Sequence, residues 1–280
     1  MGTDAAWHDP IVEQLSRFFQ KEPDARAFVL TGSLADGEIQ PDRWSDIDAG
    51  IVLADGVLDR YTCSTGWLQF LGQTAGLERH EHPQGRTLRV CLEGLRRLDL
   101  TFVSEPALGE PSSWDRNPFY PSFVVLWSEL PGLEMQLASL PQPAEYREPR
   151  REEIEELVDA FWLKAAVATT RVVRDDLLIG SHLALDLARD CLLLQMMRRD
   201  RQEGTAIHRT GGWGNELAAR VSWDGRGNSA EAILDLVRTS CEVFDELAPE
   251  LLQGYNRRGP LLYPGIESAR AICAARVETG

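Results

Sequence analysis

Thiols are few and badly placed for cross-linking. The five cysteines, Cys63, Cys91, Cys191, Cys241 and Cys273, are scattered, odd in number and form no CxxC or Cys/His grouping. That pattern excludes a disulfide framework and a zinc site, and the cysteines read as reduced thiols. Long apolar runs are also missing: no stretch reaches the roughly 18 residues of a membrane-spanning helix. The opening residues lack the basic flank and apolar core of a signal peptide, so a cytoplasmic protein with no membrane partner is expected. Positive charge is scarce. The formal net charge is −15, and no stripe of Lys and Arg offsets it, so a phosphate backbone would be repelled and nucleic acid is excluded as a partner. No internal repeat or low-complexity tract is present, which removes solenoids and propellers.

What the sequence does have is a globular composition, 43% hydrophobic and 26% charged, in a chain of 280 residues that can bury the cores of two domains. Residues 9–19 place Pro10 at a permitted first-turn position ahead of apolar residues at helical spacing, which predicts an amphipathic helix. Residues 27–30 are a short apolar run ending at Thr31-Gly32-Ser33, a buried strand entering a tight turn. From Asp46 to Leu53 polar and apolar residues alternate before the run becomes apolar, so Asp46 and Asp48 share one face of a strand. Residues 67–71 predict a second helix. Residues 86–92 and 95–103 predict a hairpin joined at Glu93-Gly94, with Asp99 on its second strand.

Around Pro141-Gln142-Pro143 the texture changes, and the alternating charges of residues 147–156 read as the solvated start of a helix. The expected domains are therefore 1–143 and 144–280. In the second, helical periodicity from 152 to 201 is expected to break at Leu178-Ile179-Gly180-Ser181. A flexible Gly-rich loop (211–214), a turn at 224–228, a helix over 230–247 and a last helix after Pro264 follow. Phe161 and Trp162 read as core packing, and His182 and His208 as ordinary polar residues.

The chemistry concentrates in Gly32-Ser33, a spacer, Asp46-Ile47-Asp48, and then Asp99. Phosphoryl and nucleotidyl transfer require neutralisation of a polyphosphate, which hard divalent cations on carboxylate oxygens do well. Aspartates at i and i+2 on a strand point the same way, about 7 Å apart along the chain, and can share metal ions. Glycine followed by a hydroxyl residue lets a backbone approach a phosphate and donate N–H and O–H bonds to it. A carboxylate on a neighbouring strand can complete a metal shell or take a proton from an acceptor hydroxyl.

Together these parts resemble the nucleotidyltransferase superfamily. Within it, Ile39-Gln40-Pro41-Asp42-Arg43-Trp44 before the aspartate pair, Arg97-Leu98-Asp99-Leu100-Thr101 and Phe161-Trp162 make the chain similar to the aminoglycoside 6-adenylyltransferases, from Ile11 to about Val221. The resemblance implies an α/β N-terminal nucleotidyltransferase domain with a mixed β-sheet and an all-α helical-bundle C-terminal domain. It implies Mg²⁺ on Asp46 and Asp48, nucleotide phosphates at Gly32 and Ser33, and Asp99 as base or third metal-site carboxylate. Arg174 would touch phosphate or structure the domain interface. The reaction implied is AMP transfer from ATP to a hydroxyl of a small molecule, a streptomycin-like aminoglycoside, with release of pyrophosphate. Two positions depart from the family's pattern: Leu34 stands where a basic residue is commonest, and residues 211–216 lack lysine. Arg209 and Arg174 are the expected substitutes for that charge. Two other readings stay open: the same chemistry on a lincosamide or metabolite, or a member without turnover that acts as a binding protein.

Overall fold

The computed structural model describes residues 7–37, 41–109, 114, 117–119, 121–142, 146–206, 208, 211–222 and 229–279. The chain divides into two compact units, Met1–Pro143 and Ala144–Gly280.

The first unit is a six-stranded mixed sheet with helices. Helix α1 (His8–Lys21) buries His8, Ile11, Leu15 and Phe19 along one stripe, the three- and four-residue spacing that gives a helix one apolar face. It leads into β1 (Ala25–Thr31), a 3₁₀ turn (Gly32–Leu34) and β2 (Ile47–Leu53). Then come α2 (Leu58–Thr62), a 3₁₀ segment (Gly66–Leu71), β3 (Thr74–His82), β4 (Gly85–Leu92), a turn (Glu93–Leu95) and β5 (Arg96–Ser104). Helix α3 (Glu105–Leu108), β6 (Phe123–Ser128) and α4 (Leu133–Ser139) finish the unit. Strand order is β3-β4-β5-β2-β1-β6. Only β2 and β5 pair in parallel; the other neighbours are antiparallel.

Strands β1 and β2 are buried on both faces, which is why both read as nearly continuous apolar runs. One face of the sheet, with Phe28, Ile47, Ile51, Leu88, Leu98, Leu100 and Phe102, forms a core with α1. The other face is divided along its length. Its lower end, Ala27, Val29, Val52 and Val103, is covered by Leu108, Trp114, Phe119, Leu133 and Leu137. A side chain at Gly50 would overlap the Phe119 ring, so glycine is what lets that cover lie flat on β2. The upper end of the same face carries the polar residues described below.

Several boundaries differ from the sequence reading. Strand β2 begins at Ile47, so Asp46 immediately precedes it. Residues 67–71 belong to a 3₁₀ segment rather than an α-helix. The β4–β5 turn holds three residues instead of two, with Gly94 at φ 72° and Leu95 at φ 61°. Leu95 is 68% exposed and in a region that costs an L-residue about 1–2 kcal/mol, a cost asparagine tolerates better. Leu95→Asn is therefore expected to raise stability by about 0.5–1 kcal/mol, seen as a higher thermal midpoint with activity unchanged.

The second unit is helical: α5 (Arg151–Val173), α6 (Leu177–Glu203), α7 (Asn215–Arg220), α8 (Ala230–Leu251) and α9 (Gly259–Thr279). Helices α5, α6, α8 and α9 share one core. In it Phe161 stacks on Phe244 with ring centroids 3.7 Å apart, and Trp162 is buried and donates to the Tyr255 hydroxyl at 3.0 Å. Asp245 is buried yet saturated: it accepts from Tyr255 Oη at 2.6 Å and from the Arg258 and Gly259 amides, so α9 starts ahead of Pro264. The break expected at residues 178–181 falls instead at 174–176. Asp175 adopts φ 63°, and the Asp176 carboxylate accepts from Ile179 N as the cap of α6, the service that short polar side chains give a helix start. Gly180 lies inside α6 and is buried; a Cβ there would come within 2.7 Å of Val172. It marks the close approach of α5 and α6, not a helix end. No helix among the described residues is long and apolar enough to cross a membrane.

Candidate active site

Register across the first unit's sheet builds the site in rungs. Thr31 of β1 pairs with Asp48 of β2, Asp48 with Asp99 of β5, and Asp99 with Arg89 of β4. The rung below reads Val29, Gly50, Thr101, Thr87, and the one below that Ala27, Val52, Val103, Gly85. Side chains two apart on a strand share a face, so the rows step from apolar floor to hydroxyls to charge. Thr87 and Thr101 share a hydrogen bond at 2.9 Å, and His82 Nε2 meets Thr87 Oγ1 at 2.8 Å. A cleft of about 430 Å³ opens over these rows, lined by Thr31, Asp48, Asp99, Arg89, Thr87 and Thr101, with His80, His82 and Gln84 further along it.

Asp46 stands just above the charged rung, carried by a tightly tied loop. The Asp42 carboxylate accepts from Trp44 N at 2.9 Å and from Ser45 Oγ at 3.2 Å, and Ser45 N bonds Asp42 O. This is an Asx turn, the usual employment of aspartate at such a corner. From outside, His8 bonds Ser45 O, Trp7 donates to Arg43 O and Arg97 donates to Trp44 O, each at 3.0 Å. The loop enters β2 with Asp46 already aimed at its neighbours.

Carboxylate oxygens of Asp46, Asp48 and Asp99 lie within 4.8 Å of one another. Three like charges so close are unfavourable in a partly buried setting. Burial first, then the charges of Asp46 and Asp99, push the Asp48 carboxyl up to about 7. Asp99 is raised too, chiefly by burial, against the opposing pull of the Arg89 guanidinium. Hard oxygen donors at this spacing, penalised for carrying charge, fit a divalent cation of the Mg²⁺ class. Gly32 backs the group: it sits at φ 65°, and any side chain there would overlap the Asp48 carboxylate. The 3₁₀ turn that follows places Ser33 immediately beyond, while Leu34 packs against the apolar core.

Gly32, Ser33, Asp46, Asp48 and Asp99 thus come together in the first unit. Arg174 lies in the second, at the end of α5 beside an apolar groove with Thr170, Leu261 and Ile272. Arg209, Ile39 and Gln40 fall outside the described residues. His208 bonds Asp200 at 2.6 Å and Glu203 at 3.0 Å near the end of α6.

Two cations escaped the sequence reading. Arg89 Nε donates to Asp99 Oδ2 at 3.0 Å, and Arg97 Nη2 stands 3.6 Å from Asp46 Oδ2. Arg97 was visible two residues before Asp99. Arg89 was hidden by the turn: a two-residue hairpin loop sets Leu88 opposite Asp99, and the third turn residue moves the register by one.

The sequence profile of the streptomycin adenylyltransferase family matches residues 8–201. The chain belongs to that family. Its members are adenylyltransferases, enzymes of the nucleotidyltransferase class. The match spans α1, every strand of the sheet, α5 and α6 up to residue 201, so all three carboxylates fall inside it. No curated protein gives a significant match. Among solved structures, an aminoglycoside 6-adenyltransferase from Bacillus subtilis aligns at 13% identity over 93% of this chain and 97% of its own, with a TM-score of 0.42. A spectinomycin adenyltransferase from Enterococcus faecialis, solved with ATP and spectinomycin, aligns at 14% identity over 95% and 98%, with a TM-score of 0.31. A nucleotidyltransferase-like protein from Exiguobacterium sibiricum 255-15 aligns at 10% identity over 87% and 77%, with a TM-score of 0.29. Superpositions this loose add nothing to the assignment, which rests on the profile.

Proposed function

We propose that this family member transfers the adenylyl group of ATP to a hydroxyl of a streptomycin-like aminoglycoside and releases pyrophosphate. The observation that carries the reading is the meeting of three carboxylates beside Gly32-Ser33 at one end of the sheet face. Asp46 and Asp48 would hold Mg²⁺. When bound, that ion neutralises the triphosphate and withdraws charge from the α-phosphorus. Gly32 gives the phosphates a surface without a side chain, and the Ser33 hydroxyl donates to a phosphate oxygen. Asp99, which Arg89 holds in the metal-free site, takes the proton of the acceptor hydroxyl. The acceptor oxygen then bonds to the α-phosphorus as the bond to pyrophosphate breaks. Burial favours this role, because a carboxylate raised from its ordinary range is the stronger base.

The net charge of −15 favours a polycationic acceptor over an anionic one, since guanidino and amino groups pair with surface carboxylates. A reaction that consumes ATP fits a cytoplasmic enzyme, where such a modification would inactivate an antibiotic. The test is pyrophosphate release from ATP and Mg²⁺ across a panel of aminoglycosides and lincosamides. Release is expected with streptomycin and its near relatives, and loss of release is expected for Asp99→Asn with Mg²⁺ and ATP binding retained. Release only with a lincosamide or other acceptor would overturn the substrate reading. Silence with every acceptor would favour a binding protein.

A further inference from the structure

An active site for a triphosphate needs positive charge, and this chain has very little of it as lysine. Its two lysines are Lys21, in the last turn of α1, and Lys164. Lys164 is already engaged in the second unit, 2.7 Å from Asp190 and 3.4 Å from Asp186. Leu34, the residue after Gly32-Ser33, is apolar and packs partly buried against the core. Arginine is what remains, and the sheet supplies two beside the triad. Arg89 reaches it from β4, directly across from Asp99, and Arg97 from β5, two residues before Asp99 on the same face.

Both guanidiniums are only partly committed. Arg89 makes one close bond, to Asp99, with Glu78 at 3.9 Å, and its side chain is 49% exposed. Arg97 spends one nitrogen on Trp44 O at 3.0 Å and lies 3.6 Å from Asp46, with 55% of its side chain exposed. A guanidinium has five N–H donors in a planar fork, so each keeps donors for a second oxyanion. Charge favours the exchange. A divalent cation on Asp46 and Asp48 adds positive charge to a group that already has two arginines beside it, so a further oxyanion is drawn in. Once the cation takes the Asp46 oxygens, Arg97 loses its carboxylate neighbour, and phosphate is the oxyanion to which both guanidiniums can turn their spare donors in two parallel bonds.

We propose that Arg89 and Arg97 are the triphosphate-binding cations of this enzyme, each exchanging its carboxylate partner for phosphate oxygens when the metal–nucleotide complex binds. This rests on the reading of Asp46 and Asp48 as the metal site. The two arginines hold the triad together without metal and compete with the metal for it. Removing them therefore has opposite effects on two ligands that a merely structural role would move together.

Isothermal titration with Mn²⁺ alone, and with a non-hydrolysable ATP analogue in saturating Mg²⁺, separates these effects in Arg89→Ala, Arg97→Ala and the double variant. Metal affinity is expected to hold or rise by about 3-fold, while nucleotide affinity falls by about 10-fold for each single change and further for the double. Arg→Lys at either position keeps the charge and loses the fork, so a nucleotide loss of about 3-fold is expected. If the alanine variants fail to fold by circular dichroism, the lysine variants carry the test. Unchanged nucleotide affinity in the double variant overturns the proposal, as does a parallel fall in metal and nucleotide affinity. Asp48→Asn keeps the two readings apart. If it leaves Mn²⁺ binding intact, the metal-site reading itself has failed; if it abolishes Mn²⁺ binding while the arginine variants bind nucleotide normally, only the present inference has.

Discussion

Asp48→Asn is expected to lower adenylyl transfer by about a thousandfold or more, because an amide cannot supply the anionic oxygen that the proposed metal site needs to neutralise the triphosphate. It is also expected to make the metal-free protein more stable at alkaline pH. Asp48 is raised from 3.8 to about 7 in the fold. Between those values the folded protein holds a proton that the unfolded chain has lost. The unfolded state therefore binds fewer protons, and stability of the metal-free wild type falls as pH rises through that window. Above pH 7 the loss is complete and of order 1–4 kcal/mol, taking about 1.4 kcal/mol per pKa unit as the ceiling. Asparagine carries no charge and escapes it. Thermal unfolding in chelator should show the variant several degrees above wild type at pH 8, with the gap closing toward pH 4 and shrinking when Mg²⁺ is restored to the wild type. A variant less stable than wild type in chelator at pH 8 would show that the triad is not the strained group described here.

Gly32→Ala is expected to cost both fold and function. The residue sits at φ 65°, and its new methyl group would occupy the place of the Asp48 carboxylate. The backbone penalty alone is about 1–2 kcal/mol. Relief of the overlap requires Asp48 to move away from Asp46 and Asp99. We expect turnover to fall at least about a hundredfold, since a displacement of about 1 Å in a positioned group can cost that much, together with a lower thermal midpoint. Wild-type turnover in this variant would mean that the Gly32–Asp48 approach has no part in catalysis. Ser33→Ala, which leaves the backbone alone, should cost far less in stability.

The parts of the site legible in the sequence are those whose chemistry is local. Asp46 and Asp48 at i and i+2, after a Gly-Ser turn, announce themselves by spacing, and Asp99 stands in a strand whose alternation is clear from Leu98, Leu100 and Phe102. What the sequence hid depends on long-range register. Strand β3 is mostly exposed, with residues such as Glu78, Arg79 and Glu81, so it lacks the apolar alternation by which strands are recognised. Strand β6 leaves Val124 at 44% and Leu126 at 39% exposure on a sheet edge, and its run of apolar residues does not declare a face. Gly180 looked like punctuation because glycine ends helices more often than it packs them. Only the proximity of Val172 reveals its use.

The three-residue turn between β4 and β5 has a reach beyond its own geometry. In a strand, side chains alternate strictly, so the length of a turn decides which parity of residues meets the partner's functional face. With three residues, Arg89 stands beside Asp99 and Leu88 enters the core. A deletion of one residue from Glu93–Leu95 would present a leucine to Asp99 and drive an arginine into the apolar layer. The turn works as an indexing pin, and the complement of charge around the three carboxylates is set as much by a count of residues as by their identity.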